Sequence, residues 1–244
     1  MERSNSRFEL KYRLDYFTYL KIKNAVQAHM KKDLYTMAAP GKGYLVRSLY
    51  YDTNEYQAYH EKMSGDNERV KFRIRTYHQT LSKNTPIRVE LKERRSNMVI
   101  KQSSFVEPLA YQHFIKYHHW PNHESATLVE FEKYLHQKSL LPMIITEYYR
   151  EGYETRIKND LRITFDHDVR SAHATDLFPE NVFFRQHHHH HLVLEIKFCS
   201  EPQTWVKNLV HAYGLKIIAN SKFTQGIQLS RPDLHHPDGV VVVR

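Results

Sequence analysis

Apolar and polar residues alternate along the segment 7–14, where every second residue from Phe8 to Leu14 is apolar. A period of two is typical of a strand with one buried face. The same alternation recurs in seven further segments, which makes about eight predicted strands. These segments are Tyr44 to Asp52, Val70 to Tyr77, Ile87 to Glu93, Lys101 to Val106, Ile144 to Tyr153, Leu161 to Phe165 and Leu192 to Phe198.

Apolar residues at helical spacing predict a helix from about Asp15 to Lys32 and three more between later strands, near Pro108 to His118, Ala126 to Lys138 and Pro202 to Tyr213. Strands that follow one another with few helices between them favour an antiparallel sheet. The predicted fold class is therefore α+β, an eight-stranded antiparallel β tunnel (a closed barrel) with flanking helices. The tail 231–244 is read as a loose end, or as a short edge strand at Val240 to Val243.

The composition predicts one domain over residues 1–244. With 7 Gly and 9 Pro, no stretch is rich enough in these residues or in Ser to serve as an interdomain linker. A lone cysteine, Cys199, and the lack of an apolar run of about 20 residues favour a reducing, cytoplasmic setting.

The charge predicts an anionic partner. Lys plus Arg is 36 against 27 Asp plus Glu, a net charge of +9, which suits nucleic acid, a membrane surface or a small polyanion. Most cations are scattered singly along strands, and no aromatic-basic motif of an RNA-binding domain is present. We therefore expect a polyanion and no nucleic acid.

Several predicted strands carry charges of a repeating kind on one face. Arg73 and Arg75 share a face, and Glu-x-Lys occurs on a single face in three strands. The three pairs are Glu9 with Lys11, followed on the same face by Arg13, Glu90 with Lys92, and Glu195 with Lys197. One such pair is usually an exposed pair that adds little stability. Several together favour a polar channel in which cations bind a phosphate chain and carboxylates bind a divalent metal.

These segments resemble the CYTH or triphosphate tunnel metalloenzymes, and within them the VTC-type polyphosphate polymerase domain. The resemblance spans nearly the whole chain in order. Its segments are Phe8 to Tyr12 (FELKY), Tyr44 to Thr53 (YLVRSLYYDT), Glu68 to Tyr77 (ERVKFRIRTY), Arg88 to Arg94 (RVELKER), Glu147 to Tyr153 (EYYREGY), Leu161 to Asp168 (LRITFDHD), Leu192 to Phe198 (LVLEIKF) and Ser221 to Gly226 (SKFTQG).

The resemblance implies a function and a set of site residues. Glu195 would hold Mn²⁺ or Mg²⁺, with Glu9 and Glu90 as supporting carboxylates that bind the metal or orient lysines. The cations that would hold the triphosphate or the growing chain are Lys11, Arg73, Arg75, Lys92, Lys101, Arg150, Arg162 and Lys222. The implied reaction transfers the γ-phosphate of ATP to the end of a polyphosphate chain. A separate membrane protein is the implied partner, while the oligomeric state is left open.

One position departs from the hydrolytic members of that superfamily. Triphosphatases and class IV adenylate cyclases open with Glu-x-Glu-x-Lys, which would need Glu at position 7, and this chain has Arg7. Losing one metal-binding carboxylate fits chain elongation better than attack by water. A metal-dependent triphosphatase and a non-catalytic binder of polyphosphate or inositol phosphates stay open as alternatives.

The run His187 to His191 is predicted to be a solvated hairpin loop. Five adjacent imidazoles cannot all point at one metal ion, so capture of a metal there would be adventitious. No glycine-rich phosphate loop is present, so a nucleotide would be held by side chains.

Overall fold

The computed structural model describes residues 8–39, 41–95, 98–121, 125–156, 160–199 and 201–234. Arg7 and the predicted edge strand at Val240 to Val243 lie outside the described residues. Among the described residues, no helix is both long and apolar enough to cross a membrane.

Strands and helices form an antiparallel α+β arrangement. The strands are β1 (Phe8–Asp15), β2 (Lys31–Lys32), β3 (Tyr44–Asp52), β4 (Glu68–Thr76), β5 (Ile87–Arg95), β6 (Met98–Val106), β7 (Leu141–Glu154), β8 (Leu161–His173), β9 (Arg185–Gln186) and β10 (His191–Phe198). The helices are α1 (Tyr16–His29), α2 (Leu34–Ala38), α3 (Gln57–Met63), α4 (Pro108–Tyr117), α5 (Ala126–Gln137), α6 (Thr204–Ala212) and α7 (Lys222–Ser230), followed by a 3₁₀ turn at Pro232–Leu234.

All eight predicted strands and all four predicted helices appear, with different bounds at several ends. The predicted first helix extended too far, because Met30 has an extended backbone and residues 31–32 pair with β7 as β2. The strand predicted to end at Phe165 continues to His173 as β8. Helices α2, α3 and α7 were not predicted.

The described residues divide into two compact units, and β3, β7 and β8 run through both. The first unit takes Met1–Leu45, Tyr148–Val169 and His188–Asn220, and the second takes Val46–Glu147, Arg170–His187 and Ser221–Arg244. The single domain expected from the sequence stays a prediction.

In the first unit the strands follow the order β1-β10-β8-β7, with β2 paired to β7. Helix α1 begins where the Asp15 side chain accepts a hydrogen bond from the Thr18 backbone. One face of these strands packs against α1 and α6 in an apolar core that includes Tyr12, Ile22, Phe165 and Val206. The alternate residues of the strands point to the opposite face.

A buried carboxylate fastens α1 to β7 in this unit. Glu151 accepts a hydrogen bond from Tyr19 at 2.6 Å and lies 2.8 Å from the ammonium group of Lys23. Burial raises the pKa of Glu151, but contacts with His167, Lys23 and Tyr19 outweigh it and lower the pKa to about 2. The strand is thereby fixed at the residue that follows Arg150.

In the second unit the order is β7-β3-β4-β5-β6, and β9 pairs with β8. The apolar face of β4 and β5 packs under α4 and α5, where Trp120 stacks on Phe114 at 3.9 Å. A smaller core joins Tyr50 of β3 to Phe223 and Ile227 of α7. Helices therefore cover one face of β4 and β5, and the charged residues lie on the other.

Closure of the sheet into a barrel is not confirmed. The strand order begins at β1 and ends at β6, and the described part of the chain contains no ladder that joins these two strands. The antiparallel α+β class holds, and the closed tunnel stays a prediction.

Gly43 provides a test of packing in the first unit. It has φ of +90°, and an added Cβ would overlap the Arg150 carbonyl oxygen. We expect Gly43→Ala to lower the free energy of unfolding by about 3 kcal/mol, because backbone strain adds to overpacking. Urea unfolding followed by circular dichroism measures this.

Gly41→Ala is the matched control, since Gly41 also has positive φ (+97°) but has no atom within 4 Å of an added Cβ. Gly41→Ala should lower the free energy of unfolding by about 1 kcal/mol, from backbone strain alone. Equal losses in the two variants would show that the contact with Arg150 does not constrain the fold.

Candidate anion and metal site

The polar face of the second unit is strongly cationic. Odd-numbered residues of β4 lie opposite even-numbered residues of β5, which in turn lie opposite odd-numbered residues of β6. Among these paired positions of β4, β5 and β6, Glu90 is the only carboxylate. The cations on this face are Arg69, Lys71, Arg73 and Arg75 of β4, Arg88, Lys92 and Arg94 of β5, and Lys101 of β6.

Glu90 lies at the centre of this face and is 1% exposed. Its Oε2 is 2.6 Å from Arg73 Nε and 3.7 Å from Arg75 Nε, and its Oε1 is 2.5 Å from Lys101 Nζ. Burial raises the pKa of Glu90, but the charges of Arg73, Arg75 and Lys101 outweigh it and hold the pKa well below its usual range. The carboxylate is therefore ionised and fixes the direction of the arginine side chains.

Strand β3 and helix α7 add to the same cluster. Arg75 Nε donates to Ser48 Oγ at 2.9 Å, and Arg73 Nη1 donates to the Tyr50 hydroxyl at 3.3 Å. Burial raises the pKa of Tyr50, but Arg73, Arg75 and the buried Lys222 outweigh it, so the net shift is downward. The positive potential therefore makes this buried phenol easier to ionise than a phenol in water.

Three lysines stand in one row across this face, because Lys71 pairs with Lys92 and Lys92 pairs with Lys101. Like charges directly opposite one another destabilise a sheet. An anion lying along the row would offset this repulsion.

The polar face of the first unit is mixed in charge. Lys11 Nζ is 3.2 Å from Glu9 Oε1 and 3.5 Å from Glu195 Oε1. Lys197 Nζ bridges the same two carboxylates, at 3.7 Å from Glu9 and 3.4 Å from Glu195. Two glutamates therefore lie close together and share two ammonium groups.

Arg150 joins β7 to this group. It donates to both carboxylate oxygens of Asp166, at 2.6 and 2.7 Å, and to Glu195 Oε2 at 3.0 Å. Burial lowers the pKa of Arg150, but Asp166, Tyr148 and Glu195 outweigh it and raise the pKa well above the usual value. The guanidinium is therefore permanently charged and held in a fork geometry.

The donor set fits a divalent metal that also takes oxygens from its substrate. Mg²⁺ usually binds one or two carboxylates together with phosphate oxygens and water, and Glu195 and Glu9 supply that number. The buried Thr164 Oγ1, opposite Glu195 in the strand register, has no hydrogen-bond partner among the described residues. No group of three His, Cys, Asp or Glu side chains within the described ranges could hold a metal without the substrate.

The structure brings together most residues that the sequence singled out. Four predicted residues stand apart from the two clusters or at their edges. Arg13 contacts His188 at 2.9 Å, Arg162 pairs with Asp33 at 2.7 Å, Lys92 is exposed, and Lys222 lies near Tyr50. The metal role of Glu90, which lies in the second unit among three cations, stays a prediction.

Sequence reasoning missed four members of these faces. Lys71 and Arg88 share the alternation of Arg73 and Glu90, so the period of two could have identified them. Asp166 fell just beyond the predicted end of its strand. Asp33 precedes an unpredicted helix, α2, and no local signal pointed to its contact with Arg162.

Residues 187–190 of the histidine run form a loop that is not a hairpin, and His191 begins β10. The strands on either side, β9 and β10, both pair with β8 and do not form a ladder with each other. His189, His190 and His191 are exposed, whereas His187 is half-buried and lies 2.6 Å from Ser171 Oγ and 2.9 Å from Gln225 Oε1. Packing therefore orders one end of a segment that was predicted to be fully solvated.

Comparison with known proteins gives a family match. The family model described as the VTC domain matches residues 6–231. No curated protein matches the chain in sequence.

One solved structure supports the fold. A candidate adenylate cyclase from Bacillus halodurans is similar over 87% of this chain and 92% of its own, with a TM-score of 0.51 and 13% identity. PH1819 protein from Pyrococcus horikoshii OT3 is similar over 92% of this chain and 99% of its own, with a TM-score of 0.46 and 11% identity. At such identities the first similarity shows the fold alone, and the second carries no argument.

Glu90 provides a test of the electrostatics. Its folded-state pKa lies below the ordinary 4.5, so its contribution to stability is complete above that pH and is lost as pH falls toward the folded-state pKa. We expect Glu90→Gln to lower the free energy of unfolding by about 3 kcal/mol near neutral pH, because it leaves buried cations uncompensated. The difference from the unsubstituted protein should shrink below about pH 4.5 in urea titrations.

Glu55→Gln is the control, since Glu55 is exposed and lies outside both clusters. The Glu90→Gln variant and the unsubstituted protein could instead differ in free energy of unfolding by the same amount from neutral to acid pH. That result would contradict the charged state of Glu90.

Proposed function

Since the chain belongs to the VTC domain family over residues 6–231, we propose that it is an ATP-dependent polyphosphate polymerase. In this proposal it transfers the γ-phosphate of ATP to the end of a polyphosphate chain and releases ADP. A closed eight-stranded tunnel, a cytoplasmic setting and a separate membrane protein as partner are also part of the proposal.

The observation that carries the proposal is the concentration of cations on one face of β4, β5 and β6 in the second unit. Eight cations share one polar face, and Glu90 is the only carboxylate among them in those rows. A face of this kind matches a chain of phosphates, because guanidinium forks bind phosphate oxygens in pairs and ammonium groups act as compact charges. A short neutral ligand would leave most of this charge uncompensated.

A divalent metal fits the first unit. Glu195 and Glu9 would hold Mn²⁺ or Mg²⁺ there, since the two carboxylates lie close together. When bound, the metal supplies charge neutralisation to phosphate oxygens. Lys11 and Lys197, which bridge the two carboxylates, would bind phosphate oxygens of the substrate.

The side chains would act by positioning and by charge. Arg73 and Arg75 of the second unit, both in contact with Glu90, would stabilise negative charge that spreads over the transferred phosphoryl group. In the first unit Arg150, held by Asp166 and Glu195, would bind phosphate oxygens. Lys101, Lys92, Arg162, Arg13 and Lys222 would bind flanking phosphates. The attacking group is itself an anionic phosphate oxygen, so no side chain needs to remove a proton.

A metal-dependent triphosphatase is the second candidate, favoured by the proximity of Glu9 to Glu195. It would release phosphate from triphosphate or ATP without chain growth. A non-catalytic binder would retain polyanions without any turnover.

The test is incubation with ATP and Mn²⁺ or Mg²⁺, with ADP, free phosphate and polymer measured together. We expect ADP and polymer with little free phosphate. Arg73→Ala should lower polymer formation on the order of 100-fold, because one donor to the transition state is lost. Arg73→Lys keeps the charge but loses the paired donors of the guanidinium. Its rate of polymer formation should lie between that of the unsubstituted protein and that of Arg73→Ala.

Arg231→Ala is the matched control, since it removes a half-exposed arginine of the same unit that pairs with Asp233. It should leave polymer formation unchanged. Free phosphate without polymer would replace the proposal with the triphosphatase, and tight polyphosphate binding without either product would replace it with the binder.

A further inference from the structure

An exposed aromatic ring lies on the cationic face of the second unit. Phe105 of β6 is 59% exposed, whereas its neighbour Val106 points the other way into the apolar core. The ring therefore contributes little to the core, and its exposure to water is unfavourable. It stands on the same face as Lys101, two strand positions from Ser103.

Arg88 stacks on this ring. Its guanidinium carbon lies 4.3 Å from the ring centroid, the geometry of a cation–π contact. The buried Nε of Arg88 has no hydrogen-bond partner among the described residues. Unlike Arg73 and Arg75, which contact Glu90, this arginine is held in place by an aromatic ring.

The strand register connects the ring to the phosphate-binding cations. Phe105 lies opposite Arg88, Arg88 opposite Arg75, and Arg75 opposite Ser48. Neighbouring strands are about 4.8 Å apart, so Phe105 lies about 10 Å from Arg75. This spacing suits a ligand with a flat ring at one end and phosphates at the other.

We propose that Phe105 and Arg88 form the nucleoside subsite for the donor nucleotide, with the base stacked on Phe105 and the first phosphate beside Arg88. The inference rests on the proposed function, since it assigns the nucleotide end of that same site. Every nucleobase presents a flat face to an aromatic ring, and a phenylalanine ring offers no hydrogen bond. The subsite therefore distinguishes nucleotides from inorganic phosphate chains but discriminates little between ATP and GTP.

The cation and the base act together. A negative phosphate beside Arg88 compensates the charge that Arg88 and Arg75 place opposite each other. The base meanwhile covers an apolar ring that is otherwise exposed to water. The bound nucleotide thus removes two unfavourable features of this corner of the sheet.

The experiment is calorimetric titration of the full chain with two matched ligands, the β,γ-imido analogue of ATP and inorganic tripolyphosphate. Phe105→Ala should weaken binding of the nucleotide analogue about tenfold, the scale of a lost base–aromatic stack. Binding of tripolyphosphate should change less than about twofold, because it has no base. Phe105→Trp, with a larger stacking surface, should bind the analogue at least as tightly as the unsubstituted protein does.

Phe183→Ala is the matched control, since Phe183 is 83% exposed in the same unit but lies outside β4, β5 and β6. It should change neither affinity. Equal losses for both ligands in Phe105→Ala, or no loss for either, would overturn the subsite and leave the polymerase proposal standing. An unsubstituted protein that binds neither ligand would overturn both.

Discussion

The alternation of side chains along antiparallel strands is the constraint on which the rest of this structure depends. Helices cover the apolar face of β4 and β5 in the second unit, and α1 and α6 cover the strands of the first. Every second side chain is then forced onto the opposite face. Since those alternate positions are mostly charged, the buried carboxylates there must be compensated by neighbouring cations. Glu90 and Glu195 each contact three of them.

The two units solve this electrostatic problem in different ways. In the first unit carboxylates and cations nearly match, with Lys11, Lys197 and Arg150 set against Glu9, Glu195 and Asp166. The second unit places many cations around one carboxylate. A balanced cluster can exchange an ammonium group for a metal ion, whereas an unbalanced one has lasting affinity for anions. Under the proposed function, the first unit would bind the metal and the second the phosphate chain.

Much of this arrangement could be predicted from the sequence, because period-two patterns are local. Strand β3 has the predicted bounds. Arg73 and Arg75 were identified from their shared face, and Glu90 was identified from its Glu-x-Lys pair with Lys92. What could not be predicted depends on tertiary contacts. Helix α7 is short and contains Gly226, which packs against Ile144 and Ser171 where no Cβ would fit. Likewise β8 continues beyond Phe165 through polar residues that look like a loop until Arg150 pairs with Asp166. The VTC resemblance was confirmed, while barrel closure, which needs pairing between strands far apart in sequence, was not.

Under the proposed function, a phosphate chain along the row of Lys71, Lys92 and Lys101 would be a structural component as well as a substrate. Glu90 offsets the charge of Lys101, but three ammonium groups still share one row, and a phosphate chain lying along it would act as a further counterion. Binding is thereby coupled to the stability of the sheet. The same proposal implies that a cell with abundant phosphate chains would hold more of this protein folded than one depleted of them, independently of turnover.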